Sequence, residues 1–447
     1  MTAIAGANNP DQIQKVQEML NRMSHRGPAG SKVVTSESGT LGVAWTHSQE
    51  ASTRQTLEQN RVFDSAGRGH GASATIDHGS LVLERDRWGV APLYYVDADN
   101  GIRYFASEVK ALVPISSQIV EMPPGCQLRD NLIQPVTVPA SSSPMDDEPM
   151  ETARKLRGLL ENAVQARLGR GVVGAWLSGG LDSSIISALV RPHIPELHTF
   201  AAGLQGSSDL DYAAQMASHL KTKHHVVSVS MDDLIAVLPS VIFHLESFDA
   251  LLVRSSIMHF LAAQRAADFV EEVFSGEGGD ELFAGYDYLK KVSVVDLPFE
   301  LLDITARLHN TALQRVDRCA GAFGLTAHIP FLDPGVVRYA VQIPAGYKIH
   351  DGVVKWILRQ AALDLLPEKV LNRPKAKFWE GSGVGVQLES YAEQKISDRD
   401  FSQERHLTNG WQLNSKEELM YYRIFSGHFG ELDSLDWMGR TKGVASQ

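Results

Sequence analysis

The stretch SGGLDSS, residues 178–184, follows the apolar run GVVGAWL (171–177) and opens into SSIISALV (183–190). The first run reads as a buried strand and the second as a helix. Between them, Gly179 and Gly180 allow a tight turn and close approach of a ligand to the backbone. The loop amides and the helix N-terminus would then face an anion. Ser178, Ser183 and Ser184 can donate hydroxyl hydrogen bonds to the same oxygens. Asp182 would repel a phosphate unless a cation lay between them, which assigns it to Mg2+. No GxxxxGK[ST] occurs in the chain, so this is not a Walker loop, and the stretch is not a GxGxxG fingerprint. The plainer alternative is a glycine turn with a helix cap at Ser183.

On either side the pattern alternates. ETARKLRGLLENAVQARL (151–168) sets Leu156, Leu159, Leu160, Ala163 and Val164 on one helical face. LHTFAAGL (197–204) reads as a strand, DLDYAAQMASHL (209–220) as a helix and HHVVSVS (224–230) as a strand. Such alternation implies a parallel sheet covered by helices. From about residue 231 the chain reads as helical, with one further buried strand at DFVEEVF (268–274). That strand runs into SGEGGDELFAGY (275–286), four glycines and three carboxylates at a strand end, with Glu277 and Asp280 three residues apart. Such a loop can turn Asp280 to a metal and Glu277 to a substrate proton. The alternative is an acidic surface turn capped by Asp280.

Residues 1–137 consist of short alternating runs such as LVLERDRWGVAPLYYV (81–96) and IRYFASEVKALV (102–113), an antiparallel, strand-rich pattern. VPASSSPMDDEPM (138–150) reads as a linker. A chain of 447 residues has room for two or three domains. Its net charge of −11 argues against a nucleic-acid partner. Two cysteines, Cys126 and Cys319, exclude a disulfide scaffold and a zinc site built on cysteine pairs. MTAIAGANNP has no signal-peptide pattern, and no apolar run is long enough to span a bilayer, so no membrane role and a cytoplasmic location are expected.

SGGLDSS resembles the signature of the ATP pyrophosphatases, which cleave ATP to AMP and pyrophosphate on a parallel sheet with helices on both faces. SGEGGDELFAGY is similar to the SGEGSDE-type segment of the glutamine-dependent asparagine synthetases, whose β-lactam synthetase relatives replace the glutamate by tyrosine. This chain keeps Glu277. The resemblance extends through 197–220, VIFHLESFDALLVRSS (241–256), 313–333, VKWILRQA (354–361), 372–383 and SKEELMYYRIF (415–425). It implies ATP and Mg2+ as cofactors, with Asp182 and Asp280 as metal ligands and Glu277 as general base toward the amine. Ala201 to Leu204 would line the adenine pocket, and Gly276 joins the nucleotide-binding set. Lys416 would contact the phosphates, with Arg254 and Lys355 as candidates for the same work. Taken singly, each of these basic residues reads more simply as an ordinary surface or ion-pair group.

HRGP (25–28), 83–95, FASEVKAL (105–112) and PPG (123–125) resemble the glutamine-hydrolysing domain of the same family, an N-terminal-nucleophile (Ntn) hydrolase fold of two antiparallel sheets between helix layers. There the nucleophile is a cysteine after Met1; here that residue is Thr2. The glutamine-holding NGEIYN-like segment is missing, the stretch 41–80 is short for the family, and Cys126 reads as a small apolar residue. A second departure is Leu251-Leu252, where the family carries a Thr-Thr pair near its activated aspartate. The pocket becomes drier, which puts aspartate in doubt.

The expected fold is α/β. A degenerate Ntn-hydrolase-like α+β sandwich (1–140) is followed by an ATP-pyrophosphatase parallel-sheet synthetase domain with a helical C-terminal part (150–447). The expected activity is adenylation of a small carboxylate, aspartate or a related acid, and transfer of ammonia or an amine to it. The first domain is expected to be inactive, and relatives are often homodimers. The other readings are a specialised amide or lactam synthetase, a non-catalytic nucleotide-binding scaffold, and a glutaminase working through Thr2.

Overall fold

The computed structural model describes residues 2–65, 69–136, 147–169, 171–373 and 384–441. The short alternating runs of the N-terminal part become two antiparallel sheets. One has the order β2-β3-β1-β8-β7-β9, from β1 (Thr2–Ala7), β2 (Gly30–Ser36), β3 (Gly39–Trp45), β7 (Tyr94–Asp97), β8 (Arg103–Ala106) and β9 (Val120–Glu121). The other has the order β11-β10-β6-β5-β4, from β4 (Arg61–Ser65), β5 (Gly71–Asp77), β6 (Ser80–Arg85), β10 (Cys126–Arg129) and β11 (Leu132–Pro135). β1 is buried along its whole length, paired with β3 on one side and β8 on the other. Its sequence TAIAGA suits that place, because small side chains let a central strand be covered on both faces. Helix Ile13–Arg22 covers the outer face of this sheet through Val16, Met19 and Leu20. The two-sheet expectation holds. The strand read in 102–113, with a short helix after it, ends at Ala106, and the helical turn is the 3-10 turn Val109–Ala111. The linker read at 138–150 lies mostly outside the described residues.

Helix Pro149–Gln165 begins the second part, with proline in its first turn and Leu156, Leu160, Ala163 and Val164 buried. Leu159, expected on the same face, is only half-buried. The parallel sheet follows in the order β14-β13-β12-β15-β16: β12 (Val173–Trp176), β13 (His198–Leu204), β14 (Lys223–Val229), β15 (Glu272–Phe274) and β16 (Thr326–His328). Every pairing in it is parallel. Helix Leu181–Val190 returns the chain from β12, and helix Ser208–Leu220 from β13.

Two sequence expectations are corrected here. The strand read at 268–274 is only Glu272–Phe274, because its first residues close the end of helix Ala250–Ala266: Phe269 N–H and Val270 N–H both donate to Ala266 O. β16 was not expected at all. Three residues, Thr-Ala-His, are too short and too polar to show a period.

The strand order reverses at β12. The chain moves outward through β13 and β14 on one side, then through β15 and β16 on the other. Parallel α/β sheets bind ligands at such a switch point, beyond the carboxyl ends of the strands. SGGLDSS follows β12 and SGEGGDELFAGY follows β15, so the two motifs emerge side by side there. No single described helix is long and apolar enough to cross a membrane.

Candidate active site

The SGGLDSS loop owes its shape to Gly179, which has φ +71°. An added Cβ would lie 2.5 Å from the Ala213 amide nitrogen and from Tyr212 Cβ, so both the backbone angle and the packing require glycine. Gly180 is the N-cap of helix Leu181–Val190 and makes no side-chain cap. The helix cap expected at Ser183 as the plainer reading is therefore not formed. The loop thus sets a helix N-terminus at the strand end, the arrangement that binds anions. Ser183 Oγ lies 3.1 Å from both Ser178 Oγ and Gly180 O, which preorders two hydroxyls over the loop. Ser184 is fully buried beneath them. Leu204 ends β13 next door and is 8% exposed.

The second loop lies directly on the first. A Cβ at Gly276 would come within 2.7 Å of the Ser183 amide nitrogen, and one at Gly279 within 2.7 Å of the Asp182 carboxylate. Asp182 and Asp280, from different loops, share one cation. Lys355 Nζ is 2.5 Å from Asp182 Oδ2 and 2.6 Å from Asp280 Oδ1. Lys355 has φ +55°, a left-handed conformation rare for a lysine, and caps the short helix Trp356–Ala361. Two carboxylates already arranged around a positive charge suit Mg2+, which nucleotide enzymes hold by one or two carboxylates plus phosphate oxygens. Among the described residues no group of three or more His, Cys, Asp or Glu converges on a metal position. Any such ion would need the substrate to complete its shell.

Glu277 is a quarter exposed, and its Oε1 pairs with Arg315. Arg315 is one of the residues that the sequence reading missed. It comes from helix Ala312–Gly321, far along the chain, in a segment that shares the family resemblance but in which nothing singles out this arginine. The neighbouring Glu281 carboxyl is pushed up to about 7 by burial and by Asp280, and the Tyr286 hydroxyl donates to it. A second missed residue is Arg373. It lies over the Tyr212 ring at 4.1 Å, pairs with Asp209, and donates to Ser178 O at 3.4 Å, bracing the back of the loop.

Lys416 and Arg254, the other basic candidates, stand in ion pairs within the helical part. Lys416 Nζ lies 2.8 Å from Glu393 and 2.6 Å from Asp398. Arg254 Nε donates to Glu417 Oε1 at 2.8 Å, and the Tyr421 hydroxyl donates to the same oxygen at 2.7 Å. The pairing joins helix Ala250–Ala266 to helix Lys416–Phe429. Of the basic candidates, Lys355 is the one that contacts the motif carboxylates. Leu252 is buried in the core and Leu251 half-buried at the start of helix Ala250–Ala266.

In the N-terminal part Thr2 is 2% exposed. Its hydroxyl lies 3.0 Å from both Phe63 O and Asp64 Oδ1, and it accepts from Ser65 N–H at 3.1 Å. Arg26, of the HRGP motif, donates to Thr2 O at 3.0 Å and pairs with Asp64 and Asp317. Burial pushes the Asp64 carboxyl up, while Arg26 pulls it down.

The asparagine synthase family model matches residues 155–308 and 299–442, and the glutamine amidotransferase domain model matches residues 74–137. The chain is 33% identical over 379 residues to asparagine synthetase B [glutamine-hydrolyzing] of Escherichia coli (strain K12), covering 78% of this chain and 68% of that protein. It is 32% identical over 376 residues to asparagine synthetase [glutamine-hydrolyzing] 1 of Arabidopsis thaliana, covering 78% and 64%. It thus spans about two thirds of the length of the curated relatives that it matches. Among solved structures, NMN synthetase from Francisella tularensis aligns with 14% identity and a TM-score of 0.31, over 64% of this chain and 98% of that one.

Proposed function

The chain belongs to the asparagine synthase family, and from that premise we propose that it is an ATP-dependent, amide-forming ligase releasing AMP and pyrophosphate. A carboxylate oxygen of the substrate attacks the α-phosphate of ATP, giving the acyl-adenylate and pyrophosphate. Ammonia or an amine then attacks the acyl carbon, the C–O bond to AMP breaks, and the amide forms. One observation carries this reading: the anion loop and the Glu277 loop are packed into one another, with Gly276 against the Ser183 amide.

The roles follow from position. The helix N-terminus in the 178–184 loop and the hydroxyls of Ser178 and Ser183 hold the leaving pyrophosphate. Asp182 and Asp280 are the residues that would hold Mg2+, and Lys355 beside them would supply a positive charge to the phosphates. Mg2+ bound there would neutralise phosphate charge. Glu277 keeps Oε1 on Arg315 and presents Oε2 to the attacking nitrogen, from which it takes a proton. Leu251 and Leu252 favour an acid less polar than aspartate. Thr2 and Arg26 are committed to structural contacts, so the N-terminal domain does not hydrolyse glutamine, and the nitrogen is free ammonia or an amine.

The test separates the half-reactions. Pyrophosphate exchange into ATP in the presence of candidate acids, beginning with aspartate, reports adenylation; mass spectrometry with ammonium or glutamine reports the amide. Glu277→Gln should keep exchange and lose amide formation by about 10²-fold or more. An unchanged rate of amide formation in that variant would show that Glu277 is not the base. The absence of exchange with every acid, from protein that binds ATP, would remove the ligase reading itself.

A further inference from the structure

Helix Ala312–Gly321 carries Arg315, Asp317 and Arg318 within four residues; Asp317 and Arg318 are buried and Arg315 is partly exposed. They point to different parts of the molecule. Arg315 holds Glu277 Oε1 at the candidate active site. Asp317 and Arg318 hold the N-terminal domain. Arg26 grips Asp317 with both terminal nitrogens, at 2.7 and 3.1 Å. Arg318 Nη1 donates to Ser107 O at 3.1 Å, and its Nη2 pairs with Glu246 at 2.9 Å. Glu246 accepts in turn from the Val109 and Lys110 backbone amides, at 3.0 and 2.7 Å.

From this we propose that the N-terminal domain positions Glu277. Arg26 fixes helix Ala312–Gly321 through Asp317, and the helix fixes the Glu277 carboxylate through Arg315. The inference rests on the reading of Glu277 as the base, and gives Arg26 the part of a positioning residue.

Three features support it. First, Arg26 has no freedom of its own. Besides Asp317 it binds Asp64 at 3.0 Å, Glu108 at 3.3 Å and Thr2 O at 3.0 Å, and it is fully buried. A planar guanidinium with bidentate partners transmits direction as well as charge. Second, Arg315 is the one hydrogen-bonding partner of Glu277 among the described residues, so the helix decides where that carboxylate sits. Third, the acylated carbon must be met by a nitrogen whose proton is being removed. An error of about 1 Å in such an arrangement costs on the order of 10²-fold in rate. A domain that anchors the helix therefore acts on the amine step and leaves the 178–184 loop, on another strand end, as it was.

The experiment uses the full chain and reads both half-reactions, the KM for ammonium and the melting temperature. Arg26→Lys keeps the charge and removes the two-pronged grip on Asp317. It should leave pyrophosphate exchange within about threefold of the parent while amide formation falls about tenfold or more. Arg315→Lys leaves the domain contact intact and should give the same split. The double variant should be no slower than the worse single one, because both changes act on one relay. A merely structural role for Arg26 predicts instead that both half-reactions decline together with the melting temperature, and that result overturns the proposal. So does a folded Arg26→Lys protein with normal amide formation, or an Arg315→Lys variant without the split. If Glu277→Gln itself retains amide formation, the identity of the base has failed, and that failure is seen independently of Arg26.

Discussion

Thr2 shows how one side chain can occupy a reactive position and be held there by structure. Its hydroxyl has a carbonyl, a carboxylate and an amide as neighbours within 3.1 Å, and solvent barely reaches it. Thr2→Ala should therefore lower stability by about 1 kcal/mol, the usual net worth of such a hydrogen bond, and leave amide formation unchanged. Glutamate release from glutamine should be at background in both proteins; release by the parent that disappears in the variant would restore Thr2 as a nucleophile. Residues of this kind divide by legibility. Gly179, Asp182, Glu277 and Asp280 could be read from the sequence because each motif is local. Arg315 and Arg373 could not, because their partners are distant in sequence and an isolated arginine carries no sign of what it will meet; Lys355 is a candidate by resemblance, but its left-handed backbone and its two carboxylate partners are not legible there.

Two loops at neighbouring strand ends make the site, and their contact surface is glycine. Gly276→Ala would force a Cβ to within 2.7 Å of the Ser183 amide nitrogen, a backbone atom held in the first turn of a helix. The loops must then part by a few tenths of an ångström or more. Overpacking of this kind costs about 1–3 kcal/mol. The variant should still fold, yet pyrophosphate exchange should drop by about tenfold or more, since both the anion loop and the carboxylate pair move. Exchange at the parent rate would mean that the loops are not mechanically joined. Helices were easier to anticipate than strands in this half of the chain. Helix Ser208–Leu220 was readable from its composition, whereas β15 and β16 are three residues each and are strands because neighbours complete their hydrogen bonds.

At the scale of the molecule, buried imidazoles set the response to acid. Burial holds His259 and His244 down at about 3 and His224 at about 4. Unfolded, each would take a proton near pH 6.5. Between about pH 4 and 6.5 the unfolded chain thus binds more protons than the folded one, and stability falls as the pH falls. Each histidine contributes up to about 1.4 kcal/mol per pH unit in that window. Melting temperatures should therefore decline from pH 6.5 to 4.5, and His259→Phe, beside the Trp176 ring, should make the decline shallower. A melting temperature flat over that range would contradict the burial of these rings. The buried charges between the domains belong to the same scale. Arg26, Asp64, Glu108, Lys110, Glu246, Asp317 and Arg318 are all under 5% exposed and join parts of the chain that are distant in sequence.

The sequence by itself determined the parallel-sheet fold, the two motifs at its strand ends and the antiparallel character of the first domain. Each of these rests on a local pattern: hydrophobic period, glycine placement, or a carboxylate a few residues from a turn. Only the tertiary structure decided which cation sits between Asp182 and Asp280, which arginine holds Glu277, and which carboxylates pair with Lys416 and Arg254. Those outcomes depend on which side chains meet across hundreds of residues, where burial strengthens a charge pair that is nearly worthless in water.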